Sequence, residues 1–129
     1  MCILREDINM ELLKILTCVD SLIVKAKEEI PKLPTETWKS ENFYVSEAVS
    51  LDDKYYVMSL IISPPTKDES LICKKWMIKC EISFLSEHRA LERPYVYDFA
   101  DIILKDFEQP ETRLKIVKEF ENILLDSNF

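Results

Sequence analysis

The clearest pattern in the chain is the run from Leu71 to Leu85, where from Trp76 onward apolar and polar residues alternate with a period of two. Trp76, Ile78, Cys80, Ile82 and Phe84 share one parity, Lys75, Lys79, Glu81 and Ser83 share the other, and Met77 is the one apolar residue among the latter. Successive side chains of a strand point to opposite faces, so this period predicts a strand with one dry face and one wet face. On a helix of 3.6 residues per turn the same apolar groups would scatter around the whole cylinder. The remainder of the chain must therefore supply this strand with neighbours and a cover for its dry face.

At 129 residues and 47% hydrophobic content, the chain is the size of one domain spanning 1–129, able to bury roughly two thirds of its unfolded surface. It contains no glycine, against an average usage of about 7%. That absence excludes a glycine-rich phosphate loop, a dinucleotide fingerprint, a nucleophile elbow and an Asn-Gly hairpin. Turns must be built from Pro, Asn, Asp and Ser, and helices must end without a left-handed glycine.

The net charge is −7 and the isoelectric point about 4.8. Phosphate binding draws its affinity from Lys and Arg, so this balance argues against nucleic acid and points to a basic protein partner or to solubility alone. Cys2, Cys18, Cys73 and Cys80 form no CxxC pair, and the single histidine, His88, stands at no zinc-ligand spacing from them. Cys18 and Cys80 fall on apolar positions and are expected as small buried hydrophobes. Arg5, Glu6 and Asp7 interrupt the N-terminal residues, so no signal peptide is expected, and reduced thiols in a cytoplasmic protein are the expectation. No apolar run of about 18 residues is present to span a membrane.

Taken in order, Ile8, Leu12, Ile15, Val19, Leu22, Ala26 and Ile30 recur in steps of three and four and predict a long amphipathic helix over 8–30, with Asp7 or Asn9 at its start and Pro31 and Pro34 at its end. A connector to Asn42 carries Trp38, a lid for the core edge. Phe43 to Val49 and Tyr55 to Ile62 are rich in aromatic and branched residues and flank a short polar turn, which predicts an antiparallel hairpin ended by Pro64 and Pro65. With the strand at Trp76 this makes a three-stranded antiparallel meander. After the strand come Ser86, Glu87, His88 and Arg89, then a turn toward Pro94. From Tyr95 to Phe107 a helical pattern is expected, with Val96, Phe99, Ala100, Ile103 and Phe107 inward. After Gln109 and Pro110 a last helix turns Ile116, Val117, Phe120 and Ile123 inward. The fold class is α+β: a long N-terminal helix, a three-stranded antiparallel meander and two C-terminal helices.

No catalytic motif stands out. His88 beside Glu87 and Arg89 is the nearest approach to one, and a small enzyme centred on His88 is one reading, but no serine or cysteine lies at a spacing that supports a triad. Asp98 and Asp101, three apart on the expected helix, form an incomplete cation site, and a solvated face in which Asp101 pairs with Lys105 explains them as well. The same region offers a binding surface. Glu87, Glu92, Asp98, Asp101 and Glu108 make it negative, and Tyr95 and Tyr97 lie among them. Carboxylates that speed encounter with a basic surface, beside tyrosines that anchor it, are what an inhibitor of a basic protein requires.

In size, acidity and the order helix, three-strand meander, two helices, the chain resembles the small immunity proteins that bacteria make against toxins delivered by contact-dependent or other polymorphic toxin systems. The resemblance is one of layout over the whole chain and carries no functional residue across. It implies a cytoplasmic protein without cofactor or metal that binds one toxin domain, often a basic nuclease, and blocks its active site or an adjacent surface. An acidic secretion chaperone for an effector is the alternative; those folds place further strands between their last two helices, where this sequence has only Gln109 and Pro110.

Overall fold

A computed structural model of the chain describes residues 2–33, 42–65, 75–84, 87–91 and 94–127, with side chains between 11 and 125 of that range. Trp38, Cys73 and Glu92 lie outside the described residues.

Helix α1 (Cys2–Glu29) begins earlier than its apolar period suggests, so Asp7 and Asn9 fall inside the helix and neither caps it. Pro31 has no amide hydrogen with which to continue it, and a single tighter turn over Ile30–Lys32 closes with the Leu33 amide donating to the Ile30 carbonyl at 3.2 Å. Strands β1 (Phe43–Leu51) and β2 (Lys54–Ser63) then form the expected hairpin, with Leu51 paired to Lys54 and only Asp52 and Asp53 between them. Both aspartates have positive φ, 51° and 62°. Two such residues in a two-residue loop are the signature of a type I′ turn, whose twist suits a hairpin and whose usual residues are Asn-Gly. In a chain without glycine, aspartate is the natural substitute, because its short polar side chain tolerates the left-handed region.

Strand β3 (Trp76–Phe84) pairs with β2 so that Met58 faces Ile82, Leu60 faces Cys80 and Ile62 faces Ile78. All six are buried, and the alternating strand has the dry face that its period demands. Helix α1 packs on this face over β1, and helix α3 (Pro110–Ser127) packs on it over β3. The two helices are joined by Arg113, which donates from Nη2 to Asp20 Oδ2 at 2.9 Å, and Lys27 of α1 pairs at 3.6 Å with Glu108 in the link that precedes α3. Leu22 of α1, Leu60 of β2, Cys80 of β3 and Phe120 of α3 are all 0% exposed, which marks the centre of the buried cluster that the described residues form.

The meander of three is present, and β3 carries a further row on its other edge that the apolar pattern does not announce. Strand β4 (Glu87–Ala90) pairs with residues 81–84, and strand β5 (Tyr95–Tyr97) pairs with residues 76–78. Both pair on the same edge of β3, and Pro94, which precedes β5, cannot donate to a ladder. Glu87 to Arg89, to which the apolar pattern assigns no element, are thus strand, and the helix expected from Tyr95 starts only at Ala100, as helix α2 (Ala100–Asp106). The physical reason is the free edge of β3: a Tyr-Val-Tyr segment suits a pleated surface, and an unpaired central strand supplies the hydrogen bonds that make it one. From α2 the chain reaches α3 through residues 107–109, with no strand between them. No helix among the described residues is long and apolar enough to cross a membrane.

Candidate partner-binding surface

The change from helix to strand at Tyr95 reverses which side chains face out. On a strand Tyr95 and Tyr97 share the parity opposite to Val96, and they take the dry side: Tyr95 pairs with Ile78 and Tyr97 with Trp76 on β3. Both are half-buried against the core. Tyr97 donates its hydroxyl to Asp106 Oδ2 at 2.8 Å. Burial raises the Tyr95 phenol above its ordinary range, and burial followed by the Asp106 hydrogen bond does the same for Tyr97. Neither ring stands free to anchor a partner.

The residues expected inside are outside instead. Val96 is 50% exposed and Phe99 68%, because β5 turns Val96 to the wet face and Phe99 precedes the helix rather than lying on its inner side. Phe99 is extended, at φ −138° and ψ 154°, and occupies the N-cap of α2 with no side-chain hydrogen bond to a helix amide. Its carbonyl accepts from the Ile102 amide at 3.1 Å, and Ile102 is itself 44% exposed. Phe99 and Ile102 therefore form a small apolar step on the first turn of α2.

The acidic residues divide into two groups. Glu87 pairs with Phe84 and Tyr97 with Trp76, at opposite ends of β3, which at ~3.4 Å per residue are about 27 Å apart. Glu87, within 3.8 Å of Arg89, thus stands apart from the rest. Around α2 remain Asp98, 3.3 Å from Lys75, then Asp101 on the first turn, and Glu108 beyond the last turn, 3.6 Å from Lys27. Asp101 is exposed and makes no ion pair among the described residues; the expected partner Lys105 does not reach it. Asp98 lies in the bend before the helix, so the two aspartates are not stacked on one helical face, and no group of three metal-ligating side chains occurs among the described residues.

His88 faces Ser83 across the β3–β4 ladder, with Ser83 Oγ 2.8 Å from His88 Nδ1. Glu81 Oε1 lies 3.8 Å from the same nitrogen. A catalytic relay needs the acid on one ring nitrogen and the nucleophile on the other; here both lie at Nδ1. The arrangement is a cross-strand polar cluster on the wet face of the sheet.

No family model, curated protein or solved structure matches the chain. Function has to be read from the surface itself, and there the residues missed by periodicity are Phe99 and Ile102. The signal that marks them is Pro94 followed by Tyr-Val-Tyr, a strand start rather than a helix start, which moves Phe99 off the inner face. A further carboxylate, Glu47, packs against α1. It sits on the dry parity of β1, and Lys25 and Ser21 on α1 satisfy its carboxylate, holding its pKa below the ordinary value, with the Lys25 hydrogen bond the larger cause.

Proposed function

We propose that this chain is an acidic protein-binding inhibitor, an immunity protein that neutralises a basic, nuclease-type toxin domain by direct binding through the α2 end of the molecule. The observation that carries the reading is Phe99. A large aromatic residue 68% exposed at an N-cap that it fills without a cap hydrogen bond gives up about 1 kcal/mol of helix stability that Ser, Thr, Asp or Asn would supply. A local rule broken without a structural return is the mark of a residue retained for contact. Asp101 lies on the first turn of the same short helix, with Asp98 just before it and Glu108 just after it, so an apolar anchor is bordered by carboxylates, the pattern suited to a cationic protein. The overall charge of −7 steers in the same direction.

The test begins with co-expression and affinity capture against the product of the adjacent gene, followed by stopped-flow association. Phe99→Ala weakens the complex by about 2 kcal/mol, roughly thirtyfold in Kd. Reversing both Asp98 and Asp101 to lysine slows association at low salt and flattens its salt dependence. Rates unchanged by the reversal at low and high salt, together with an unchanged Kd for Phe99→Ala, remove this surface from the interaction.

A further inference from the structure

The dry parity of β1 runs Phe43, Val45, Glu47, Val49, Leu51, so a carboxylate occupies the middle of a row that otherwise packs against the core. The neighbouring rows, Tyr56 to Ile62 on β2 and Trp76 to Phe84 on β3, carry no charge on that parity. A branched apolar residue at 47 would simply bury against α1, whereas Glu47 needs Lys25 and Ser21 to satisfy it. The strand that carries this exception is also the long free edge of the sheet. It runs for nine residues in one-to-one register with β2, and among the described residues no strand lies on its other side. Leu51 and Lys54 close a two-residue loop, so the odd residues of β1 exchange hydrogen bonds with β2, while Tyr44, Ser46, Ala48 and Ser50 turn their amides and carbonyls outward. Such an edge is a template for a further strand. The opposite edge is built from strands of four and three residues, whose shortness itself limits pairing.

We infer that Lys25 and Glu47 together hold the β1 edge closed to strand addition. Lys25 reaches from α1, on the dry side, to the outward carbonyl of Ser46, donating from Nζ at 2.8 Å while it pairs with Glu47. An incoming strand would bring a backbone amide to about the same distance from that oxygen, so its donor and the ammonium compete for one position. The ammonium carries charge, which makes its hydrogen bond roughly twice as strong as that of a neutral amide. Glu47 supplies the second obstacle. Its side chain is 28% exposed and that of Lys25 45%, at the rim of the dry layer, where a strand added beside β1 would lay its own side chains over both. Withdrawing an ion pair from water costs more than the attraction returns unless further hydrogen bonds are made. An inward-pointing charge and a lysine at the edge are both devices by which sheets avoid edge-to-edge pairing, and here a single ion pair provides the two. The exception in the apolar row follows: Glu47 stands there because it holds Lys25 at the edge.

The experiment uses the whole chain under reducing conditions and reads amide hydrogen exchange at Ser46 and Ala48 at micromolar and near-millimolar concentration. In the unmodified chain these outward amides exchange equally fast at both concentrations. The double variant Lys25→Met, Glu47→Val keeps the net charge and makes the dry row continuous. Its association through β1 tightens at least roughly tenfold, for the charge-assisted hydrogen bond that each copy no longer has to break, and both amides gain protection at the higher concentration. As a control, Glu29→Gln with Lys32→Met removes an ion pair away from β1, again at constant net charge, and leaves exchange at Ser46 and Ala48 as in the unmodified chain. Concentration-dependent protection of these amides in the unmodified chain overturns the inference, because the edge is then already open. It is overturned equally if the double variant leaves them unprotected, or if the control protects them as much. Should the double variant not fold, Lys25→Ala, which frees the Ser46 carbonyl with a smaller change, takes its place with the same outcomes.

Discussion

Phe99→Ser tests the reversal of side-chain facing at Tyr95 most directly. Phe99 is 68% exposed, so about a third of its surface is buried; against ~2.5 kcal/mol for complete burial of a phenylalanine, removing it costs about 0.8 kcal/mol. The backbone is already extended at the N-cap of α2 and no side chain serves the first-turn amides, so a serine hydroxyl can accept from the Asp101 amide and return about 1 kcal/mol. The two effects offset to within about 0.5 kcal/mol, equivalent to a Tm change of less than about 3 °C for a chain of this length. Urea unfolding followed by far-UV circular dichroism resolves a difference of that size from the alternative. Were Phe99 on the inner face of a helix running from Tyr95, its truncation would open a cavity and cost about 3–5 kcal/mol. A measured loss above about 2 kcal/mol refutes the strand at Tyr95–Tyr97 and with it the exposed anchor.

A second expectation concerns alkaline pH. Burial pushes the Cys18 thiol from 9.0 up to about 12, and it raises Cys80, Tyr95 and Tyr97 as well. These groups are neutral when protonated, so raised folded values mean that the native state keeps protons the unfolded chain releases. The stability they carry is whole below the unfolded values, falls as pH rises from there, and is gone once pH passes the folded ones. At about pH 10.5 the loss is about 2 kcal/mol for each thiol and just under 1 for each phenol, about 6 kcal/mol in all. Urea melts with reductant at about pH 8 and pH 10.5 measure it, and a change below about 2 kcal/mol contradicts the burial of these groups. At the hairpin tip, Asp53→Gly relieves a positive φ of 62° in a turn whose second position favours glycine, and should stabilise by about 0.5 kcal/mol; a destabilised variant would mean that the aspartate side chain holds the turn.

Local periodicity was enough for the elements that bury a regular face over many residues. Helix α1, the β1–β2 hairpin, strand β3 and helix α3 each repeat their pattern long enough that only one period fits, and their inner residues form the core. The lack of glycine likewise put aspartates at the tight turn between β1 and β2. The residues from Glu87 to Phe99 were decided by tertiary structure. Strands of four and three residues are too short to show a period, and they exist because the unpaired edge of β3 offers their backbone hydrogen bonds that an isolated segment lacks. That edge also determined which side of Tyr95, Val96 and Tyr97 meets water, separated Glu87 from the acids on α2, and left Phe99 exposed. Pairings such as Lys25 with Glu47 and Arg113 with Asp20 belong to the same class, since helix and strand residues far apart in the chain meet only when the layers pack. Sequence spacing reports how each segment divides its own residues between core and solvent; which surface results depends on neighbours that only the assembled sheet provides.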